Sequence, residues 1–128
     1  MTDRELALRA EIMRSFAATG APPEVAPSDE LHALAARHVV VLDGGGRIVM
    51  THPFAAHEEG ARVDAGGRTW WGNCAWDALG IVAALGLGDA TVTAQDVTLR
   101  VRDGEPLDDA VFHVAVPARH WWDDIGHT

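Results

Sequence analysis

The sequence has no lysine, no tyrosine and a single cysteine, Cys74. Without lysine, covalent catalysis through a side-chain Schiff base is excluded. One cysteine excludes an intramolecular disulfide and any site built wholly from cysteines. No apolar run approaches the ~20 residues a membrane span requires, and the amphipathic start is no signal peptide. These absences predict a soluble, cytoplasmic protein with no membrane partner. Positive charge is scarce: 10 basic residues, every one an arginine, stand against 19 acidic ones for a net charge of −9. The arginines are scattered from Arg4 to Arg119 without a basic block. An acidic chain repels phosphate backbones, so no nucleic-acid partner is expected.

What remains is an ordinary globular composition, 48% hydrophobic and 23% charged over 128 residues. It fits one domain spanning 1–128, long enough to bury a core without staples. Leu6, Arg9, Ala10, Met13, Phe16 and Ala17 recur at helical spacing, which predicts a helix over 3–18 stopped by Thr19-Gly20. A proline-rich connector follows, and Ser28 caps a short helix over 29–37. Residues 38–42 and 47–50 read as a β-hairpin around Asp43-Gly44-Gly45-Gly46. Two helices and a hairpin over 1–50 resemble a winged helix shortened by one helix.

The remainder, 51–128, is read as the core. A polar loop is expected from His52 to Gly67, then a strand over 68–71. The clearest helix runs from Cys74 to Leu85, capped by Asn73 and stopped by Gly86. Strands are expected over 90–94, over 97–102 with Val97, Leu99 and Val101 on one face, and over 111–116 through the sheet's centre. Ala118 to Ile125 is expected as a short terminal turn or helix. The fold class is α+β: a helical N-terminal third, then a small mixed or antiparallel sheet packed on one central helix.

The stretch Trp70-Trp-Gly-Asn-Cys-Ala-Trp-Asp-Ala-Leu-Gly80 carries the chemistry. A cysteine at the first helical position meets free N–H groups and the positive dipole end, which predicts a stabilised thiolate. Asp77, three residues on, shares a face with the thiol at ~5–6 Å between Cβ atoms. That face continues through Ala78, Ile81 and Leu85, so the pair sits at the open end of an apolar stripe. Desolvation and like charge are expected to push the carboxyl towards its protonated form. Thiol and acid together suit a nucleophile or soft-metal ligand beside a proton store. A small buried cysteine beside a helix-start carboxylate reads the same spacing without chemistry.

The segment Thr69 to Gly80 resembles the active-site helix of the alkylmercury (organomercurial) lyases. His52-Pro-Phe54, Phe112-His-Val-Ala-Val116 and Trp121-Trp-Asp-Asp-Ile-Gly126 fit the same family in the same order, so the resemblance covers roughly 10–128. It implies a lyase that needs no cofactor, in which two cysteines bind the organomercurial and an aspartate protonates the departing carbon. The products are a hydrocarbon and bound Hg(II). By this resemblance Cys74 is the first family cysteine and Asp77 the proton donor. The second cysteine has no counterpart. In relatives it follows the Trp-Trp-Asp-Asp-Ile-Gly segment, where this sequence reaches Thr128.

Another metal ligand could substitute, and His127, His120 and His113 have the chemistry for it. A strand histidine packed in the sheet and two near a solvated terminus is the plainer reading. Trp70, Trp71, Trp76, Trp121 and Trp122 could wall an apolar substrate pocket above Cys74, or fill the core and cover a sheet edge. The expectation is therefore an alkylmercury-lyase-like enzyme, or a relative turned to another small organic substrate. The alternative is a non-catalytic small-molecule or metal-binding module on the same scaffold. A homodimer, or a partner subunit supplying a second thiol, fits either.

Overall fold

The computed structural model describes residues 1–111 and 116–127, the last of these for its backbone alone. Helix α1 (Asp3–Thr19) opens on a capping box: the Thr2 hydroxyl accepts the Glu5 N–H, and the Glu5 carboxylate accepts the Thr2 N–H. Each side chain satisfies an N–H that the helix start leaves without a backbone partner. Gly20 ends the helix at φ 75°, a left-handed conformation that glycine adopts without strain. Helix α2 (Asp29–Ala36) is capped by Ser28, and it buries Leu31 and Leu34 against Ile12 and Phe16 of α1.

The first departure from the sequence reading comes at residues 38–40. The ladder begins only at β1 (Val41–Leu42), because the preceding residues close α2. The N–H groups of His38 and Val39 donate to the carbonyls of Ala35 and Leu34, with His38 left-handed at φ 58°. Apolar character alone does not separate a strand from a helix stop. Strands β2 (Ile48–Thr51) and β3 (Phe54–Ala55) complete a three-stranded antiparallel sheet in the order β1-β2-β3.

The second departure is larger. Residues 52–67, expected as a polar loop, contain β3 and also β4 (Ala61–Ala65). Strand β4 pairs with two neighbours in a five-stranded sheet ordered β5-β4-β6-β7-β8, with β5 Arg68–Gly72, β6 Ala90–Ala94, β7 Val97–Arg102 and β8 Glu105–Pro106. Ala61 and Val63 are buried, whereas Arg62 and Asp64 pair with each other on the outer face. With alanine at both ends and one valine, the alternation carries little hydrophobic contrast. All the described ladders are antiparallel.

Helix α3 (Ala75–Ala84) packs on the sheet's inner face through Ala78, Ile81 and Val82. These residues join Val63, Val92, Leu99 and Val101 and the α1–α2 side chains in one buried cluster. The α+β class is as expected. The middle position of the five-stranded sheet belongs to β6. Of the strand expected over 111–116, residues 112–115 lie outside the described residues; Val111 is fully exposed. Two 3₁₀ turns, Ala118–Asp123 and Ile125–His127, occupy the expected terminal turn. No described helix is long and apolar enough to cross a membrane.

Candidate active site

The start of α3 is built one residue later than its sequence suggests. Cys74, with φ −147° and ψ 175°, is the N-cap, and Ala75 is the first helical residue. Asn73 does not cap the helix. Its Nδ2 donates to the Ile125 carbonyl at 2.9 Å, and its Oδ1, the atom a capping asparagine would use, is buried without a hydrogen-bond partner. The amide instead ties the terminal turn to the helix start. Asp77 thereby becomes the third helical residue, the place from which a carboxylate reaches back over the cap.

Glycines make this position reachable. A Cβ on Gly72 would stand 2.9 Å from both the Asp77 Cβ and the Ala78 nitrogen. A Cβ on Gly60 would stand 2.0 Å from the Gly72 carbonyl oxygen. Only bare backbone at the ends of β4 and β5 lets α3 approach closely enough to bury Asp77. The carboxylate residue is 8% exposed.

Its partner is His52, in the turn between β2 and β3. The His52 Nδ1 lies 2.8 Å from the Asp77 Oδ1, with the imidazole 69% exposed and the Asp77 side chain 11% exposed. Burial raises the Asp77 carboxyl above the ordinary carboxylate range. The His52 charge, the Cys74 thiol and the N–H groups of Asn73 and Cys74 pull it partly back. Desolvation was anticipated as the cause; like charge from sulfur was not the second one, since the thiol favours the carboxylate by donating to it.

The thiol itself corrects an expectation. Burial pushes the Cys74 thiol up from its ordinary value; the N–H groups of Asp77 and Trp76 oppose the rise, and the Asp77 charge adds to it. The Cys74 side chain makes no capping hydrogen bond to the start of α3. The helix-start field is present, but desolvation beside an acid outweighs it and disfavours the thiolate.

Cys74 opens on a cavity of about 540 Å³. Val92, Val97 and Leu99 of β6 and β7 form an apolar wall, with Asn73 and Gly126 at the side. Val97, expected on the inner face with Leu99 and Val101, is exposed because it stands at the cavity mouth. Another cavity, about 590 Å³, lies at the far end of α3; its one charged lining residue is Asp103, and it holds no nucleophile.

None of the five tryptophans lines the cavity beside Cys74. Trp70 is buried in the core, where its Nε1 donates to the Ala17 carbonyl at the end of α1, at 3.0 Å. Trp71 points from the opposite face of β5 and is half-buried, and Trp76 is largely exposed on α3. Trp121 donates to the Val116 carbonyl, and Trp122 stacks on His38 with ring centroids 3.9 Å apart. Among the histidines, His120 is engaged by Asp123 and Arg119. His113 and the His127 side chain lie outside the described residues. The described residues contain no cluster of three or more His, Cys, Asp or Glu fit to hold a metal.

A cysteine cap, an acid three residues on and a cavity with one apolar wall at the sulfur form the arrangement against which known proteins can be compared. The alkylmercury lyase (MerB) family model matches residues 54–128, more than half of the chain. The chain belongs to the alkylmercury lyase family. A solved structure described as the mercury-bound form of MerB2 shares the fold, with a TM-score of 0.65 at 19% identity. The match covers 84% of this chain and 60% of that one, so the present chain spans less than two-thirds of that relative. No curated protein matches. Lyases of this family need no cofactor.

The sequence reading missed three residues that shape the site. His52 was noted only as part of a motif, and Gly60 and Gly72 as neither turn nor cap. Their signal is weak in one dimension, because each acts on a residue at least five positions away.

Proposed function

We propose that this protein cleaves carbon–mercury bonds, with Cys74 binding the mercury of an organomercurial substrate and Asp77 protonating the departing carbon. The observation that carries the reading is the pairing of a cavity-facing thiol with a buried acid at one helix start. The cavity's apolar wall suits the organic group of the substrate.

The resting protonation states supply the reaction with its own proton. As mercury bonds to Sγ and the substrate's counter-ligand departs, the thiol proton passes to the Asp77 carboxylate. The neutral Asp77 then protonates the carbon while the carbon–mercury electron pair becomes the new carbon–hydrogen bond. A hydrocarbon leaves, Hg(II) stays on sulfur, and Asp77 is again a carboxylate. Burial of Asp77 favours its neutral form, which is the form that donates. In this reading a small thiolate from solution, its proton already given to buffer, enters the cavity and supplies a second sulfur.

The test is phenylmercury with excess low-molecular-weight thiol, following benzene by gas chromatography and the Cys74 adduct by mass spectrometry. Benzene from the wild type and none from Cys74→Ser is expected. Adduct without benzene supports instead a binding module on the lyase scaffold. Neither adduct nor benzene ends the reading.

A further inference from the structure

We propose that His52 is the proton-delivering partner of Asp77, holding its carboxyl and reconnecting it with water after each turnover. The inference rests on the lyase reading above and adds a residue to it. Three observations carry it. Asp77 is buried by the close approach of Gly72 to α3, so its carboxyl has little contact with solvent. Besides the neighbouring Cys74 thiol, the described side chain in short polar contact with it is His52, at 2.8 Å. That imidazole is exposed over most of its surface, whereas the carboxyl is not. An imidazole nitrogen can pass a proton on and regain one, which an arginine guanidinium in the same place does not.

The need for such a residue follows from the proton count. The first turnover spends the Cys74 thiol proton on carbon. It leaves mercury on sulfur, a carboxylate at Asp77 and no proton on either residue. A thiolate from solution that removes the mercury leaves Cys74 ionised beside that carboxylate. One proton must return before the next substrate is cleaved. The His52 imidazolium gives its Nδ1 proton to the Asp77 carboxylate, and the neutral ring recovers a proton from buffer acid. Asp77 passes the proton to the Cys74 sulfur, which restores the resting thiol. Without the imidazole, the proton returns only by way of water or buffer acid entering the cavity at Cys74, a route that bypasses the buried carboxyl.

This role predicts a split between the first turnover and later ones. In His52→Ala, steady-state benzene release from phenylmercury should fall about 10-fold or more, towards the range that positioned acids and bases contribute. The first-turnover burst should fall several-fold less. Added imidazole should restore the steady state in proportion to its concentration, and His52→Gln, which keeps a hydrogen bond without a transferable proton, should not. Equal losses in burst and steady state without imidazole rescue would reduce His52 to a structural contact. An unchanged steady state in His52→Ala would overturn the proposal outright. Failure of the lyase reading looks different, because then the wild type itself yields no benzene. In that case the contact is judged by ¹⁵N NMR of the His52 ring. A tautomer that shifts on Asp77→Asn keeps the His52–Asp77 pairing, and an unchanged one overturns it.

Discussion

Two helix starts in this molecule are built on one plan and do different work. At α1, Thr2 is the cap and Glu5 the third helical residue; at α3, Cys74 is the cap and Asp77 the third helical residue. Both acids are buried to the same degree, 7% and 8% exposed. Glu5 is held by the Thr2 N–H and by Arg37, a permanent cation. Asp77 is held by a thiol and an imidazole, both of which exchange protons. The α1 box is a complete cap whose partners never change charge in the working pH range. Replacing hydroxyl by thiol and guanidinium by imidazole turns the same backbone device into one that can bind a soft metal and move a proton.

The strongest way to break the comparison is to make the second start like the first. Cys74→Ser restores a capping hydroxyl, so mercury capture and hydrocarbon release should disappear. Because serine is a favoured cap, stability should rise by up to about 1 kcal/mol, read as a higher melting temperature. A lowered melting temperature with residual adduct would place Cys74 in the core rather than at the site.

Removing only the proton is the next largest change. Asp77→Asn should retain the Cys74–mercury adduct while single-turnover benzene release drops by roughly 100-fold or more. Measuring adduct stoichiometry beside the rate separates slow chemistry from weak binding. The same variant tests stability against pH. The folded state holds the Asp77 proton more tightly than the unfolded chain, so the stabilising contribution of the neutral carboxyl is complete below the ordinary value of 3.8. It is lost as pH rises through the raised folded value. Melting temperatures over this window should decline less in Asp77→Asn than in the wild type.

Gly72→Ala probes the close approach that the α1 start does not need. The added methyl must displace Asp77 and the α3 backbone, at a cost of about 1–3 kcal/mol. Misplacement on the ångström scale should also lower turnover by up to about 100-fold. Wild-type turnover in this variant would show that the site tolerates a looser helix. Arg37→Ala then isolates the structural box. It leaves Glu5 without its cation, and with Arg37 half-exposed the loss should be about 1–2 kcal/mol with turnover unchanged. The smallest effect is expected for Trp122→Ala, which removes the stack on His38 for about 1 kcal/mol or less.

Periodicity located α1, α2, α3, β6 and β7 within a residue or two, because each has a strong apolar repeat and a marked stop. It failed at residues 38–40, where apolar side chains serve a helix end, and at β4, where alanines conceal a strand that two neighbours complete. The Cys74–Asp77 pairing was legible from the spacing of one turn. The capping role of Asn73 was misjudged because its amide is claimed by Ile125, more than fifty residues away in the chain. Five tryptophans suggested a substrate wall by composition, yet Trp70 and Trp121 donate to backbone carbonyls and Trp122 stacks on the His38 ring.

By itself the sequence determined which groups are available: one thiol, an acid one helical turn from it, no lysine, and apolar stripes that must be buried together. Those are local facts of residue type and spacing. Tertiary structure decided the protonation chemistry, since burial is a property of the assembled core and sets whether sulfur and carboxyl keep their protons. It also chose His52 as the partner of Asp77, because the turn after β2 meets the start of α3 only once the sheets and helices have packed.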